Sequence, residues 1–160
     1  VLALALSAPL HPAALGTSLG KADRILILKS ERKLTLYRGG RPLKSYQVAL
    51  GGAPEGDKRC QGDQRTPEGT YRINLKNRTS QYHLSLRISY PDATDRAEAR
   101  RLGCSPGGDI FIHGLAKKFA YLGSLHRASD WTLGCIAVTN AEIEEIWAAV
   151  DVGTVVEIRP

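Results

Sequence analysis

At 160 residues the chain is long enough for one domain with a real core and too short for two comfortable ones. The net charge of +6 comes from 22 basic and 16 acidic side chains without a dense basic block, so nucleic-acid recognition, which wants a basic stripe or a known motif, is set aside. A mild positive field suits an anionic polymer or a membrane surface better, and no stretch reaches the roughly 18 to 20 apolar residues of a membrane span.

Residues 1–20 begin with the apolar run Val1 to Leu6 followed by small residues, the pattern of a signal-peptide remnant or of an N-terminal arm. The absence of methionine is what a chain that has lost its initiator would show. From Arg24 to Lys29 and from Lys33 to Arg38 the residues read as strands, the second alternating with period two. Gly39-Gly40 turns the chain, and Pro42 to Leu50 follows as a third strand of a meander. A glycine- and proline-rich loop leads through Gly62 and Gly69 to a strand over Thr70 to Leu75. Tyr82 to Tyr90 alternates again, with His83, Ser85, Arg87 and Ser89 on its polar face.

Asp92 to Leu102 carries helix formers behind Asp92 or Thr94 as N-cap, and Asp109 to His113 reads as a buried strand. Leu115 to Trp131 is expected as a loop. Asn140 is expected to cap a helix whose apolar stripe is Ala141, Ile143, Ile146, Trp147 and Val150, with Glu142, Glu144 and Glu145 in its early turns. A final strand runs from Thr154 to Ile158.

The chemistry concentrates near the end, in His113-Gly114 and in Thr132-Leu133-Gly134-Cys135-Ile136. A cysteine directly after glycine, ahead of a helix, can have its thiolate stabilised by backbone N–H groups. A histidine at the end of a buried strand can face that thiol, and a Cys–His pair is the minimal kit for acyl transfer through a thioester. The three cysteines are Cys60, Cys104 and Cys135. If Cys135 is the nucleophile and stays free, Cys60 and Cys104 become the candidate bridge, a pairing that the sequence leaves open.

His113, Thr132, Gly134, Cys135 and Ile136, together with Gly62-Asp63-Gln64-Arg65-Thr66-Pro67-Glu68-Gly69-Thr70-Tyr71, resemble the signature segments of the L,D-transpeptidase (YkuD-like) catalytic domain of bacterial cell-wall enzymes. Leu133 stands where many members have histidine, and Ala137 where many have asparagine or arginine. In this the chain looks like the branch around the YafK-type enzymes, some of which cross-link peptidoglycan while others release a lipoprotein from it. The resemblance implies a mixed α/β, mostly β fold over residues 21–160, a YkuD-like curved β-sandwich or barrel with a few short helices. It implies an exported cysteine acyltransferase of the periplasm or cell envelope, acting as a monomer on peptidoglycan stem peptides without metal or cofactor. A hydrolytic relative, an L,D-carboxypeptidase or an amidase acting on a wall-linked lipoprotein, is the alternative.

On this reading Cys135 is the nucleophile and His113 the base, with the Gly114 carbonyl fixing the imidazole tautomer. The N–H groups of Gly134 and Cys135 would form the oxyanion hole, and Thr132 would steady the loop. His126 and Arg127 border the expected cleft, His126 as a solvated loop residue. Arg87 is a candidate for a stem-peptide carboxylate, as are Lys58 and Arg65. Trp131 either lines the donor groove or anchors the loop in the core, and anchoring is preferred. Two other classes compete: a zinc hydrolase built on His113, His126, Asp130 and Cys135, which lacks closely spaced ligand pairs, and a non-catalytic wall-binding module on the same fold.

Overall fold

The computed structural model describes residues 19–160, so the expected signal-peptide remnant or arm over residues 1–20 lies outside the described residues apart from Leu19 and Gly20. The protein is mixed α/β and mostly strands, wound into a curled eight-stranded sheet. Period-two alternation sets the first layer: β1 (Arg24–Leu28) buries Ile25 and Ile27, and β2 (Lys33–Arg38) buries Leu34 and Leu36. β2 pairs antiparallel with β1 on one side and with β3 (Arg41–Gln47) on the other.

The rest of the sheet follows in the spatial order β3-β2-β1-β8-β4-β5-β6-β7. β8 (Val155–Arg159) runs parallel to β1. β4 (Gly69–Asn77) pairs with β8 through its first residues and with β5 (Ser85–Ile88) through its last, and the sheet turns its corner at an irregularity between Ile73 and Leu75. β6 (Phe111–His113) lies antiparallel to β5, and β7 (Ile136–Ala137) lies parallel to β6.

The curl is closed by the chain that leaves β3. Ala49 exchanges both backbone hydrogen bonds with Ala137, at 3.0 and 2.9 Å, and Gly51 bridges to Thr132. This is why β3 ends at Gln47 rather than at Leu50: Val48 still donates to Arg32 O, and from Ala49 the chain turns to serve the far edge. Inside the curl sit Leu50, Tyr71, Ile73, Leu86, Ile88, Ile112, Ile136 and Val156, sealed by Ile143 and Ile146 from α2 (Asn140–Ala149) and by Val150, its C-cap.

Other boundaries depart from the sequence reading for local reasons. β5 starts at Ser85 because His83 adopts φ 72°, which breaks extended backbone, and Ser85 itself is buried. α1 (Ala93–Arg101) is capped by Asp92, whose carboxylate accepts the N–H groups of Thr94 and Asp95. α2 is capped by Thr139, not Asn140: Thr139 Oγ1 accepts from Glu142 N while the Glu142 carboxylate accepts from Thr139 N. The expected loop after Leu115 is largely a 3-10 helical segment, Lys117–Ala128, interrupted at Gly123 with φ 48° and ψ −128°. Cys60 and Cys104 form a disulfide and Cys135 is free.

One buried cation ties the long loop before β4 to this frame. The Lys29 ammonium, 2% exposed, donates to Gly56 O at 2.6 Å, to Thr66 O at 3.0 Å and to the Glu68 carboxylate at 2.7 Å. All three donors of the ammonium are used, which is what makes its burial tolerable. Replacing it by an apolar residue of similar length strands two carbonyls and a carboxylate. Lys29→Met is therefore expected to lower the unfolding free energy by about 3 kcal/mol, read from denaturant titration.

Candidate active site

β6 and β7 bring the two reactive side chains together. His113 pairs with Ala137 across the parallel ladder, and Cys135 precedes Ala137 by one full pleat repeat. With side chains alternating along each strand, Cys135 and His113 fall on the same face of neighbouring strands. Both line one cleft of about 540 Å³, with Tyr82, Trp131 and Leu133 as apolar walls, Lys58 as a buried cation and Asp109 at the mouth.

His113 is buried, and its Nδ1 lies 2.6 Å from Gly114 O. A carbonyl can only accept, so Nδ1 carries the proton and Nε2 is left as the acceptor. Gly114 is required there: a Cβ would lie 2.6 Å from Asn140 Oδ1 and 3.0 Å from Tyr82 O. Asn140, released from capping, instead accepts the Leu115 N–H at 2.7 Å and pins the chain leaving His113. The Tyr82 ring lies against the imidazole with centroids 4.4 Å apart, and Trp131 meets it edge-on at 6.0 Å.

Cys135 sits ahead of β7, not directly ahead of α2, so no helix N-terminus acts on its sulfur. The Sγ accepts the Phe111 N–H at 3.4 Å and faces Asp109 O at 3.7 Å, where a thiol hydrogen is donated. Burial pushes the thiol above the usual cysteine range, with the Phe111 N–H working against that rise. Burial likewise holds His113 below the usual imidazole range, with the Gly114 carbonyl partly offsetting it. Burial thus drives both groups toward their neutral forms.

The loop into Cys135 is shaped by Thr132, whose hydroxyl donates to Cys135 O at 2.7 Å and accepts from Gly134 N at 3.1 Å. That second bond corrects the expected oxyanion hole, because the Gly134 N–H is already engaged. Gly134 has φ 134°, and a Cβ on it would lie 2.7 Å from Arg65 O. Asp130, proposed as a zinc ligand in the competing reading, accepts from Arg32 Nε and Nη2 and from Leu50 N. Among the described residues no group of three or more His, Cys, Asp and Glu side chains is gathered for a metal.

The weaker candidates divide. Trp131 is 40% exposed and lines the cleft instead of anchoring the loop. His126, expected in solvent, is 6% exposed and stands behind Trp131, its ring nearly perpendicular at 6.4 Å. Arg127 pairs with Glu142 of α2. Arg87 is outside the cleft wall, donating to Asn74 at 3.0 Å with Asp109 at 3.7 Å. Arg65 turns its guanidinium to Asp57 O. Tyr82, absent from the sequence-based candidates, had a signal only as the first member of an apolar alternation.

A model of the YkuD L,D-transpeptidase catalytic domain matches residues 22–158. The chain belongs to this family. It is 32% identical over 135 residues to "Putative L,D-transpeptidase YafK" of Escherichia coli (strain K12), covering 81% of this chain and 47% of that protein. The chain therefore spans about half the length of the curated relatives it matches. Among solved structures it resembles the helical cell shape determining protein Pgp2 of Campylobacter jejuni, with TM-score 0.66 and 26% identity over 92% of this chain and 52% of that one. L,D-transpeptidase 1 of Mycobacterium tuberculosis shares the fold, with TM-score 0.54 and 17% identity over 88% of this chain and 63% of that one.

This direction has a measurable consequence. A thiol raised by burial gains thiolate only as pH climbs through and beyond the ordinary cysteine range, so iodoacetamide inactivation should keep accelerating through and beyond that range. A rate already on its plateau at neutral pH would show a preformed thiolate–imidazolium pair instead. Gly134→Ala, which meets both a positive φ and the Arg65 carbonyl, should lower the thermal midpoint by roughly 5 °C or more.

Proposed function

We propose that this L,D-transpeptidase family member is a peptidoglycan-modifying cysteine acyltransferase that works through a thioester on Cys135. The observation that carries this reading is the placement of Cys135 and His113 on one face of two paired strands, in one cleft, with the imidazole oriented by Gly114. In this reading Cys135 Sγ attacks the carbonyl carbon of the donor stem peptide's third residue while the thiol proton passes to His113 Nε2. The tetrahedral oxyanion collapses, the peptide C–N bond breaks, and the imidazolium returns the proton to the departing amine. An acceptor then attacks the thioester, giving its proton to His113, and the sulfur leaves and is reprotonated.

Since the Gly134 N–H is engaged by Thr132, the Cys135 N–H is the remaining main-chain donor of the pair for the oxyanion. An amine acceptor gives transfer and water gives hydrolysis, with the same residues in the same roles. The substrate places the protein at the cell envelope. No helix among the described residues is long and apolar enough to cross a membrane.

Cys135→Ala and His113→Ala should each abolish turnover of defined muropeptides while the unfolding midpoint stays near that of the parent. The double variant should be hardly slower than either single one, because the two groups act as a unit. Intact-mass analysis should find an acyl adduct with the parent protein and none with Cys135→Ala. Full activity of Cys135→Ala would overturn the assignment, and product masses separate cross-linked from hydrolysed products.

A further inference from the structure

Most of the large apolar side chains exposed among the described residues lie on or beside the 3-10 segment Lys117–Ala128. On the segment itself Tyr121 is 80% and Leu125 72% exposed, and Phe119 is half-exposed. Phe119 and Leu125 also line a second cavity of about 520 Å³, together with Leu115 and Leu122, and this cavity shares Tyr82 and Trp131 with the Cys135 cleft. His126 is in the lining too, but both its ring nitrogens are closed to solvent, so it offers only carbon to an occupant. Scattered exposed apolar side chains need no explanation, whereas a cluster that continues into an apolar cavity marks an interaction surface.

The charges on this surface have one sign. The segment carries Lys117, Lys118 and Arg127 and no carboxylate. Arg127 is committed to Glu142. Lys117 and Lys118 are exposed, without an ion-pair partner among the described residues, and the Lys118 ammonium lies 4.9 Å from the Phe119 ring. Lysine is depleted at the centre of protein–protein interfaces. At a bilayer surface the same mixture is compatible: aromatic and leucine side chains enter the boundary between headgroups and acyl chains, and lysine stems lie along it with their ammonium groups among the phosphates. The net charge of +6 acts in the same direction. The break at Gly123 splits the segment into two short turns, which suits shallow insertion of a few side chains.

We propose that this segment docks the protein on an anionic lipid bilayer, with Phe119, Tyr121 and Leu125 inserted at the boundary between headgroups and acyl chains and Lys117 and Lys118 on the lipid phosphates. Charge complementarity selects the occupant: an apolar surface edged by two unpaired cations fits an apolar layer edged by anions. Because Tyr82 and Trp131 are common to the cavity and the cleft, docking holds the mouth of the Cys135 cleft at the membrane surface. The surface is independent of the reaction at Cys135.

Sedimentation of the full chain with sucrose-loaded vesicles tests the docking. Binding to vesicles of equal parts phosphatidylglycerol and phosphatidylcholine is expected, roughly tenfold or more tighter than to phosphatidylcholine alone and weakening with salt. A protein of net charge +6 adsorbs on such vesicles by charge alone, so the variants decide. Tyr121→Ser/Leu125→Ser, at two sites outside the core, should weaken binding roughly tenfold or more at unchanged net charge. Lys117→Gln/Lys118→Gln should weaken it to a similar degree, while Arg41→Gln/Arg100→Gln, which removes the same charge from exposed sites elsewhere, should change it by less than about threefold. No binding to the anionic vesicles would overturn the proposal. So would full binding by folded Tyr121→Ser/Leu125→Ser, or equal losses in the two charge-removing variants, since either means adsorption by net charge. Dimers in sedimentation velocity that Tyr121→Ser/Leu125→Ser disperses would overturn it as well, because a second copy would then cover the face.

Discussion

The carboxylate of Asp130 joins the loop of Cys135 to the opposite end of the curled sheet. It accepts two N–H bonds from Arg32, at 3.1 and 2.8 Å, and one from the Leu50 backbone at 2.9 Å. Isolated surface ion pairs contribute little to stability. Here both arginine N–H groups converge on Oδ2 while the main-chain donor takes Oδ1, so the carboxylate is fixed in direction as well as distance. Immediately beyond it the Gly51–Thr132 bridge and the Ala49–Ala137 pair close the curl. Gly51 allows this closure because a Cβ there would lie 2.1 Å from Gln64 O. Trp131, Thr132, Gly134 and Cys135 inherit their positions from this junction.

The chemistry of the cleft follows from the same enclosure. Desolvation acts on both partners in the direction of neutrality, raising the thiol and lowering the imidazole. An ion pair at rest would require charges that the surrounding groups do not hold: the sulfur sees one N–H and one carbonyl, and the Lys58 ammonium is itself bound to Asp63 at 2.8 Å and to Cys60 O at 3.2 Å. On the proposed mechanism reactivity comes with substrate, when the proton moves from sulfur to Nε2 as the carbon–sulfur bond forms.

Much of this was legible in the residues, and what was not has definite causes. An apolar run exposed β1, alternation exposed β2 and β4, and Asp92 with helix formers behind it exposed α1. The order of motifs exposed the family. The cap of α2 was misplaced by one residue because Thr139 and Asn140 are both good capping residues, and only the tertiary demand of the Leu115 N–H decides between them. The 3-10 segment was missed although Phe119, Leu122 and Leu125 recur at its period of three. The exposure of Trp131 and the burial of His126 reversed expectation together, because a segment read as open loop folds over the histidine and leaves the indole at the cleft. Hydrogen bonds such as that from Gly134 to Thr132 depend on loop conformation, which residue types alone do not encode.

The Cys135 cleft and the 3-10 segment that precedes Trp131 belong to different parts of the cooperative structure. His113 and the residues after Cys135 are held in strands whose backbone groups are committed to the sheet, and such amides exchange with solvent only when large portions of a fold open. The 3-10 segment has no strand partner among the described residues, shows Phe119, Tyr121 and Leu125 to water, and carries a break at Gly123. Its opening belongs to the low-energy class of local excursions. A lateral displacement of that segment would leave the positions of His113 and Cys135 under the control of the sheet.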